Sequence, residues 1–410
     1  MAALPFRFIQ SSDFRLERSV QGLAEVPEHL RDSIIQAPSR AVASVFDAAL
    51  DEEVDFVILC GDLVDLAMAG AGELVFLLDQ FHRLAEREIA VYWAGGSVDP
   101  PSAWPRSLAL PESVHVFAAG RPETHFPTRG GEPLSRIAGA GRQRGARTRF
   151  SQLATANREL FRIAAVHASA EAANLQKLEA DYWALGARAD RCTLSTSPMV
   201  AHYAGSPQAR NFDETGAHGC TLVQVDENGR ARTSLIATDS VRFASETFCI
   251  DGDSDRGWLE DQLRQRMTRI AQGAGERVTL VRWSLQGDGP LARALQHGSL
   301  ASEITAWLRT EFGHQQPSVW TVELRVCPPE ITSELLEQET ILGDFLRAVA
   351  HYENNESEPI NLEHYLSQKH LAGSVAAEVA LDEPATRQRV LQEVARLGVD
   401  LLGGSEGAGV

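Results

Sequence analysis

The stretch DFVILCGDLVD, Asp55 to Asp65, joins an apolar run to a tight polar turn. Phe56 to Cys60 has no polar interruption, as a strand covered on both faces requires. Gly61 then permits a turn that carries Asp62 just past the strand's carboxyl end. In open α/β sheets ligands sit at that edge. Two further runs deliver polar groups to equivalent places. FRFIQ (Phe6 to Gln10) leads to Asp13, and FRIAAVH (Phe161 to His167) ends on His167. Two carboxylates and an imidazole suit a borderline-hard dication such as manganese.

Outward from this stretch, Ala41 to Glu53 and Gly72 to Glu88 carry apolar residues at helical spacing, and IAVYWAG (Ile89 to Gly95) reads as another buried strand. This β-α-β-α-β order predicts an α/β layered core. After Pro133 the chain is richer in strands: YWALG (Tyr182 to Gly186), CTLVQVD (Cys220 to Asp226) and ARTSLIAT (Ala231 to Thr238). Asn228-Gly229 between the last two signals a hairpin, because both residues tolerate positive φ. From Val241, VRFASETFCID, RVTLVRWSLQG and SVWTVELRV read as strands around a helical Asp255 to Gln272. Beyond Pro328-Pro329, Ile331 to His351, Asn361 to His370 and Glu383 to Leu402 read as helices, with a polar ENNESEP linker and a disordered GGSEGAGV tail. The expected fold class is α/β (α+β layered), a mixed β-sheet sandwich flanked by helices. The expected domains are 1–240, a small α/β domain at 241–329, and a helical region at 330–410.

Composition narrows the function classes. A net charge of −18 argues against broad nonspecific nucleic-acid binding, which needs positive surface to displace counterions, but leaves room for a local basic groove. The five cysteines form no CxxC pair, so neither a disulfide framework nor a structural zinc site is expected. The opening residues lack an apolar signal core, and no run approaches the ~18 apolar residues of a membrane span, so the expected location is cytoplasmic and away from membranes.

The ordered set of turns resembles the calcineurin-like metallophosphoesterases, and within them the SbcD/YhaO-type DNA repair exonucleases. That family reads DxH, GDLxD, GNHD, a lone His, then GHxH. The matching stretches here are DFR (Asp13 to Arg15), GDLVD (Gly61 to Asp65), GSVD (Gly96 to Asp99), VH (Val166-His167) and GARA (Gly186 to Ala189). LPESVHVF, DYWALG and GSPQARNFDETGAHGCTLVQVD also look like family text. The resemblance covers roughly residues 6 to 240 and extends more loosely into 241–329, similar to the family's capping domain. It implies a metallophosphoesterase sandwich, two divalent metals such as manganese, DNA as substrate, and a homodimer. It further implies an SbcC-type coiled-coil ATPase docked through the C-terminal helices.

Carried over residue by residue, the resemblance leaves only Asp13, Asp62 and His167 as metal ligands. The other family positions are Arg15, Ser97, Val98, Ala187 and Ala189. Alanine coordinates nothing, so each of the two sites keeps two strong ligands, and at most one ion is expected. His202 or Asp190 could substitute. Without a cation, Asp13 and Asp62 at ~4 Å would repel by about 4 kcal/mol at an effective dielectric of ~20. Arg15 is permanently charged and forks onto carboxylates, so an Arg–Asp cluster is expected in the metal's place.

The reading is a catalytically degenerate repair-nuclease relative acting as scaffold or regulatory subunit. The alternative is a working metal-dependent phosphodiesterase with a reduced or rearranged site. Arg142, Arg144, Arg147 and Arg188 are candidate phosphate or DNA contacts. The first three lie in SRIAGAGRQRGARTR (Ser135 to Arg149), which has five arginines and no acid and reads equally as a flexible basic loop. Arg188 reads also as a solvated arginine. Asp65 and Asp99 read as acceptors that stabilise their loops.

Overall fold

The computed structural model describes residues 4–143, 145, 148–155, 157–287, 289–327, 336–355, 358, 360 and 384–402. They fall in two compact units. The larger comprises Met1–Glu246, Gly257–Trp283 and Ser302–Leu324; the other comprises Thr247–Arg256, Ser284–Ala301 and Arg325–Val410.

Two six-stranded sheets build the larger unit. The first runs β14 (Ala231–Ala237), β13 (Gly219–Val225), β1 (Phe6–Ser11), β2 (Phe56–Leu59), β3 (Ala90–Ala94), β4 (Val114–Phe117). The second runs β11 (Cys192–Ser195), β12 (Val200–Tyr203), β10 (Tyr182–Gly186), β9 (Phe161–His167), β8 (Ser135–Ala140), β5 (Glu123–His125). A short ribbon pairs β6 (Thr128–Arg129) with β7 (Glu132–Pro133). Strands β1 to β4 are mutually parallel, as are β8, β9, β10 and β12, so both sheets send loops out at strand carboxyl ends. The remaining pairs are antiparallel, which makes both sheets mixed.

Period-2 alternation sorts the apolar runs into layers. Phe8, Phe56, Ile58 and Tyr92 of the first sheet meet Ile163, Ala165, Tyr182 and Ala184 of the second in one core. Their neighbours Ile9, Val57, Leu59, Val91 and Trp93 turn outward onto helices α1 (Arg31–Asp51) and α2 (Ala71–Ala85). Ala164, Val166, Trp183 and Leu185 face a third apolar layer with Leu153, Leu175 and Met199. Leu175 sits on the short α3 (Ala172–Leu175). The structure is thus the expected mixed α/β sandwich flanked by helices.

Helix α1 begins ten residues before the sequence pattern suggests. Pro38 has no N–H to donate, and its ring disfavours an interior position. Yet it lies inside α1, where the preceding turns are held by burial of Leu30, Ile34 and Ala37 against Ala209, Phe212 and Phe243. The hairpin expected from Asn228-Gly229 is present, joining antiparallel β13 and β14. Only Gly229 has positive φ (71°), and the Asp226 side chain accepts from the Asn228 and Arg230 amides, giving a longer loop built on one glycine.

Later in the chain, β15 (Val241–Ile250), β16 (Val278–Gly287) and β17 (Val319–Cys327) form a three-stranded sheet. Three helices accompany it in sequence: α4 (Arg256–Ala274), α5 (Pro290–His297) and α6 (Leu300–Phe312). In the smaller unit α7 (Ile341–Asn354) and α8 (Pro384–Leu402) pack through Leu342, Leu346, Val349, Leu391 and Ala395. Thr340 caps α7 by accepting from the Gly343 amide at 3.1 Å. The expected helix at Asn361 to His370 and the GGSEGAGV tail lie outside the described residues. No described helix is long and apolar enough to cross a membrane.

Candidate metal centre

Loops from both sheets converge at one edge. Asp13 follows β1, Asp62 follows β2, Ser97 follows β3, His167 ends β9 and Ala187 follows β10. The approach is close enough to exclude side chains. A Cβ on Gly61 would lie 2.5 Å from the Gly96 nitrogen, and one on Gly186 would lie 1.9 Å from the Cys60 carbonyl oxygen. Backbone pairing continues past the strands: the amides of Asp13, Arg15 and Leu16 donate to the carbonyls of Gly61, Asp62 and Leu63. Asp13, Arg15, Asp62 and Ala187 all take positive φ, at 55°, 46°, 56° and 82°. For non-glycine residues this is a costly posture, held by the surrounding bonds.

Asp13, Asp62 and His167 each offer an atom such that all three lie within 4.8 Å of one another. Asp62 is buried. Its Oδ1 accepts from the amides of Ser97 and Val98, and its Oδ2 accepts from the Arg15 guanidinium. His167 donates from Nδ1 to the Cys60 carbonyl at 2.8 Å, because a carbonyl can only accept. That leaves Nε2 facing Asp62 Oδ1 at 3.5 Å and the Ser97 hydroxyl at 3.4 Å. Burial holds the His167 pKa below the usual histidine value, against the pull of Asp62. Burial first, then the Asp62 charge, raises the Asp13 carboxyl to about 7, although the Ala187 amide donates to its Oδ2 at 3.2 Å.

This donor set fits one divalent ion. Arg15 occupies an Asp62 oxygen, and Ala187 and Ala189 offer no side-chain donor. The Ala187 amide is turned onto Asp13, and the Ala189 carbonyl is bonded to the Ser206 amide. Arg15 differs in one respect from the expected cluster, since its hydrogen bond goes to Asp62 and not to Asp13.

His202 is no replacement ligand. Thr193 and Thr221 hydroxyls engage both its ring nitrogens, at 2.9 and 2.8 Å, and burial lowers its pKa to about 3. A buried neutral histidine binds fewer protons than its unfolded counterpart. Its stabilising contribution is complete above pH ~6.5 and is lost as pH falls toward 3. By pH 5 the loss is about 2 kcal/mol. Asp13 and Asp99, whose carboxyls are raised to about 7, act in the opposite sense over the same range, so the test is a comparison: between pH 7.5 and pH 5 the change in urea stability is expected to be about 2 kcal/mol more favourable to His202→Gln than to the natural protein.

Asp99 and Asp65 act as loop acceptors. The fully buried Asp99 accepts from the amides of Asp62, Leu63 and Gly96 and from the Trp93 indole. Burial pushes its carboxyl up to about 7 against those donors. Asp65 Oδ1 accepts from the Ala67 amide. Arg142 is exposed, and its charge reaches His167; Arg188 is exposed and stacks on Tyr203 at 5.3 Å. Arg144 and Arg147 lie outside the described residues.

The residue that sequence reasoning missed is Arg210. Its buried guanidinium, lowered to about 10 by burial, donates to the carbonyls of Phe14 and Arg15 and so clamps the loop carrying Asp13. Arg210 lies 195 positions along the chain from Arg15, so no local spacing could have announced it.

No protein-family model matches the chain. Among curated proteins, it is 32% identical over 234 residues to the uncharacterized metallophosphoesterase YhaO of Bacillus subtilis (strain 168), an alignment covering 53% of this chain. The chain spans 57% of the length of that relative. Its paired mixed sheets are consistent with a metallophosphoesterase fold, and over about half its length the chain is similar in sequence to a metallophosphoesterase.

Proposed function

We propose that this protein is a metallophosphoesterase relative of the DNA repair exonuclease type whose dinuclear centre has been reduced to one site or none. In this reading it serves as a DNA-repair scaffold or regulatory subunit. One observation carries the proposal: the Arg15 guanidinium sits on the Asp62 oxygen that a second metal would need. Asp13, Asp62 and His167 would hold a single ion, which when bound would polarise a phosphoryl oxygen and activate water. The chain's own groups supply charge and orientation. Arg15 and Arg142 bring positive charge toward a phosphodiester, and the Cys60 carbonyl fixes the His167 tautomer that faces Asp62. Residues 241–329 would cap the site, and 330–410 would dock a coiled-coil ATPase.

The test is metal content and nuclease activity together. Protein loaded with manganese and dialysed is expected to retain at most one ion per chain by mass spectrometry. Its nuclease activity on single- and double-stranded DNA is expected to be no greater than that of Asp62→Ala. Two tightly held ions, or activity that Asp62→Ala abolishes, would instead establish a working phosphodiesterase.

A further inference from the structure

The first sheet ends at β4 and the second at β5, and these two edge strands meet through a pair of histidines. His115 of β4 and His125 of β5 lie with ring centroids 4.7 Å apart and planes tilted by 30°. Tyr92 of β3 stacks on His115 at 5.1 Å, and Phe117 meets His125 edge-on at 5.4 Å. Both imidazoles are half-buried.

Packing alone does not account for the pair. Phenylalanine would fill the same space without the cost of covering polar nitrogens. Among the described residues no hydrogen bond reaches either imidazole, so four ring nitrogens are left to solvent or a ligand. Burial lowers the pKa of both rings, helped at His115 by the charge of His125 and opposed at His125 by Glu123. Each ring is therefore neutral near pH 7 and keeps a lone pair to give. Neutral imidazole is a ligand for zinc, copper and nickel. Two imidazoles sharing a zinc ion at ~2.0–2.1 Å from each nitrogen stand with centroids about 5 Å apart, close to the separation present here.

A carboxylate lies beside them. Glu123 is two residues before His125 on β5, so period-2 alternation puts both on one face. One Glu123 oxygen accepts from the Ala118 amide at 3.3 Å, and the carboxylate's charge reaches His125. Two histidines and a glutamate are a recurrent zinc set that leaves a fourth position for water. Cysteine spacing could not announce such a site, because its ligands are imidazoles.

We propose that His115 and His125, with Glu123 as third ligand, bind a zinc-type divalent ion that ties the edge strands of the two sheets together. The site shares no residue with Asp13, Asp62 and His167 and does not depend on the reading of that centre. It also selects differently: paired imidazoles favour zinc or copper, whereas a carboxylate-rich set suits manganese.

Calorimetric titration of the full chain with zinc chloride tests it, in the natural protein and in Asp62→Ala, which disables the other centre. Asp62→Ala is expected to keep one zinc ion per chain. His115→Phe and His125→Phe keep a ring in the stack but remove its nitrogens. Made in Asp62→Ala, each is expected to weaken that binding about tenfold or more. Made in the natural protein, each is expected to leave its manganese content unchanged. Glu123→Gln is expected to give a smaller loss of zinc affinity. Copper(II) bound to the natural chain gives a second readout that needs no variant to fold: its electron paramagnetic resonance spectrum is expected to show splitting from two imidazole nitrogens. Zinc binding that both phenylalanine variants leave unchanged, or that Asp62→Ala alone abolishes, would overturn the site. A copper spectrum with no more than one nitrogen would do the same. Loss of manganese in Asp62→Ala bears on the other centre alone, so the two readings fail separately.

Discussion

Restoring Arg15→His, Ser97→Asn, Val98→His, Ala187→His and Ala189→His together is expected to raise tightly bound manganese to two ions per chain, with affinity at least 100-fold above that of the natural protein. The largest contribution comes from Arg15. A guanidinium near an incoming dication repels it, and partial exposure of Arg15 together with the Asp62 charge it neutralises screens that repulsion to on the order of 1–2 kcal/mol. Its removal also frees Asp62 Oδ2. The loops already present the remaining positions. Ala187 stands at φ 82° with its amide on Asp13, so histidine inherits the same backbone cost that alanine bears. Dialysis followed by metal analysis gives the stoichiometry, and Arg15→Ala alone is expected to recover about a tenfold part of the affinity. A folded five-site variant that still held one ion or none would show that ligand loss is not what limits the centre.

Asp99→Ala is expected to destabilise the protein by about 3–5 kcal/mol, the largest stability effect of any single change at this edge. Four donors converge on one buried carboxylate: the Gly96 amide at 2.6 Å, Asp62 at 2.9 Å, Leu63 at 3.0 Å and the Trp93 indole at 3.2 Å. Each buried donor left without a partner costs about 1–3 kcal/mol, though the terms do not simply add. Asp99→Asn keeps one acceptor oxygen but turns an NH2 toward donors, so an intermediate loss is expected. Denaturant unfolding by circular dichroism measures both. A loss under about 1 kcal/mol for the alanine variant would mean that these bonds do not hold the loop.

The sequence made the strand-turn grammar of the site readable. Phe56 to Leu59 is unbroken apolar text, Gly61 is the residue its turn needs, and Asp13, Asp62 and His167 each stand just beyond a run of strand-forming residues. Those signals are local, and the structure brings the three side chains together. What escaped was set by long-range packing. The first turns of α1 survive Pro38 because of partners near residues 209 and 243. Ser135 to Ala140 lies in the arginine-rich stretch, read equally as a source of phosphate contacts and as a flexible basic loop; these six residues form a strand between β5 and β9, sealed by Ile137 and Ala138. The helix at Leu300 to Phe312 went unread, and its inner face of Ile304, Leu308 and Phe312 is visible only once partners are known. Arg15's choice of Asp62 over Asp13 depends on a left-handed backbone that no sequence pattern at that position announces.

The positive φ of Ala187 bears on history as well as on mechanics. Selection that had lost all interest in this edge could have relaxed the residue to glycine and gained about 1 kcal/mol. Alanine at such an angle keeps a contour that it does not itself need. On the proposed reading, the way back to a two-metal centre would run through side chains alone, with the backbone contour already in place.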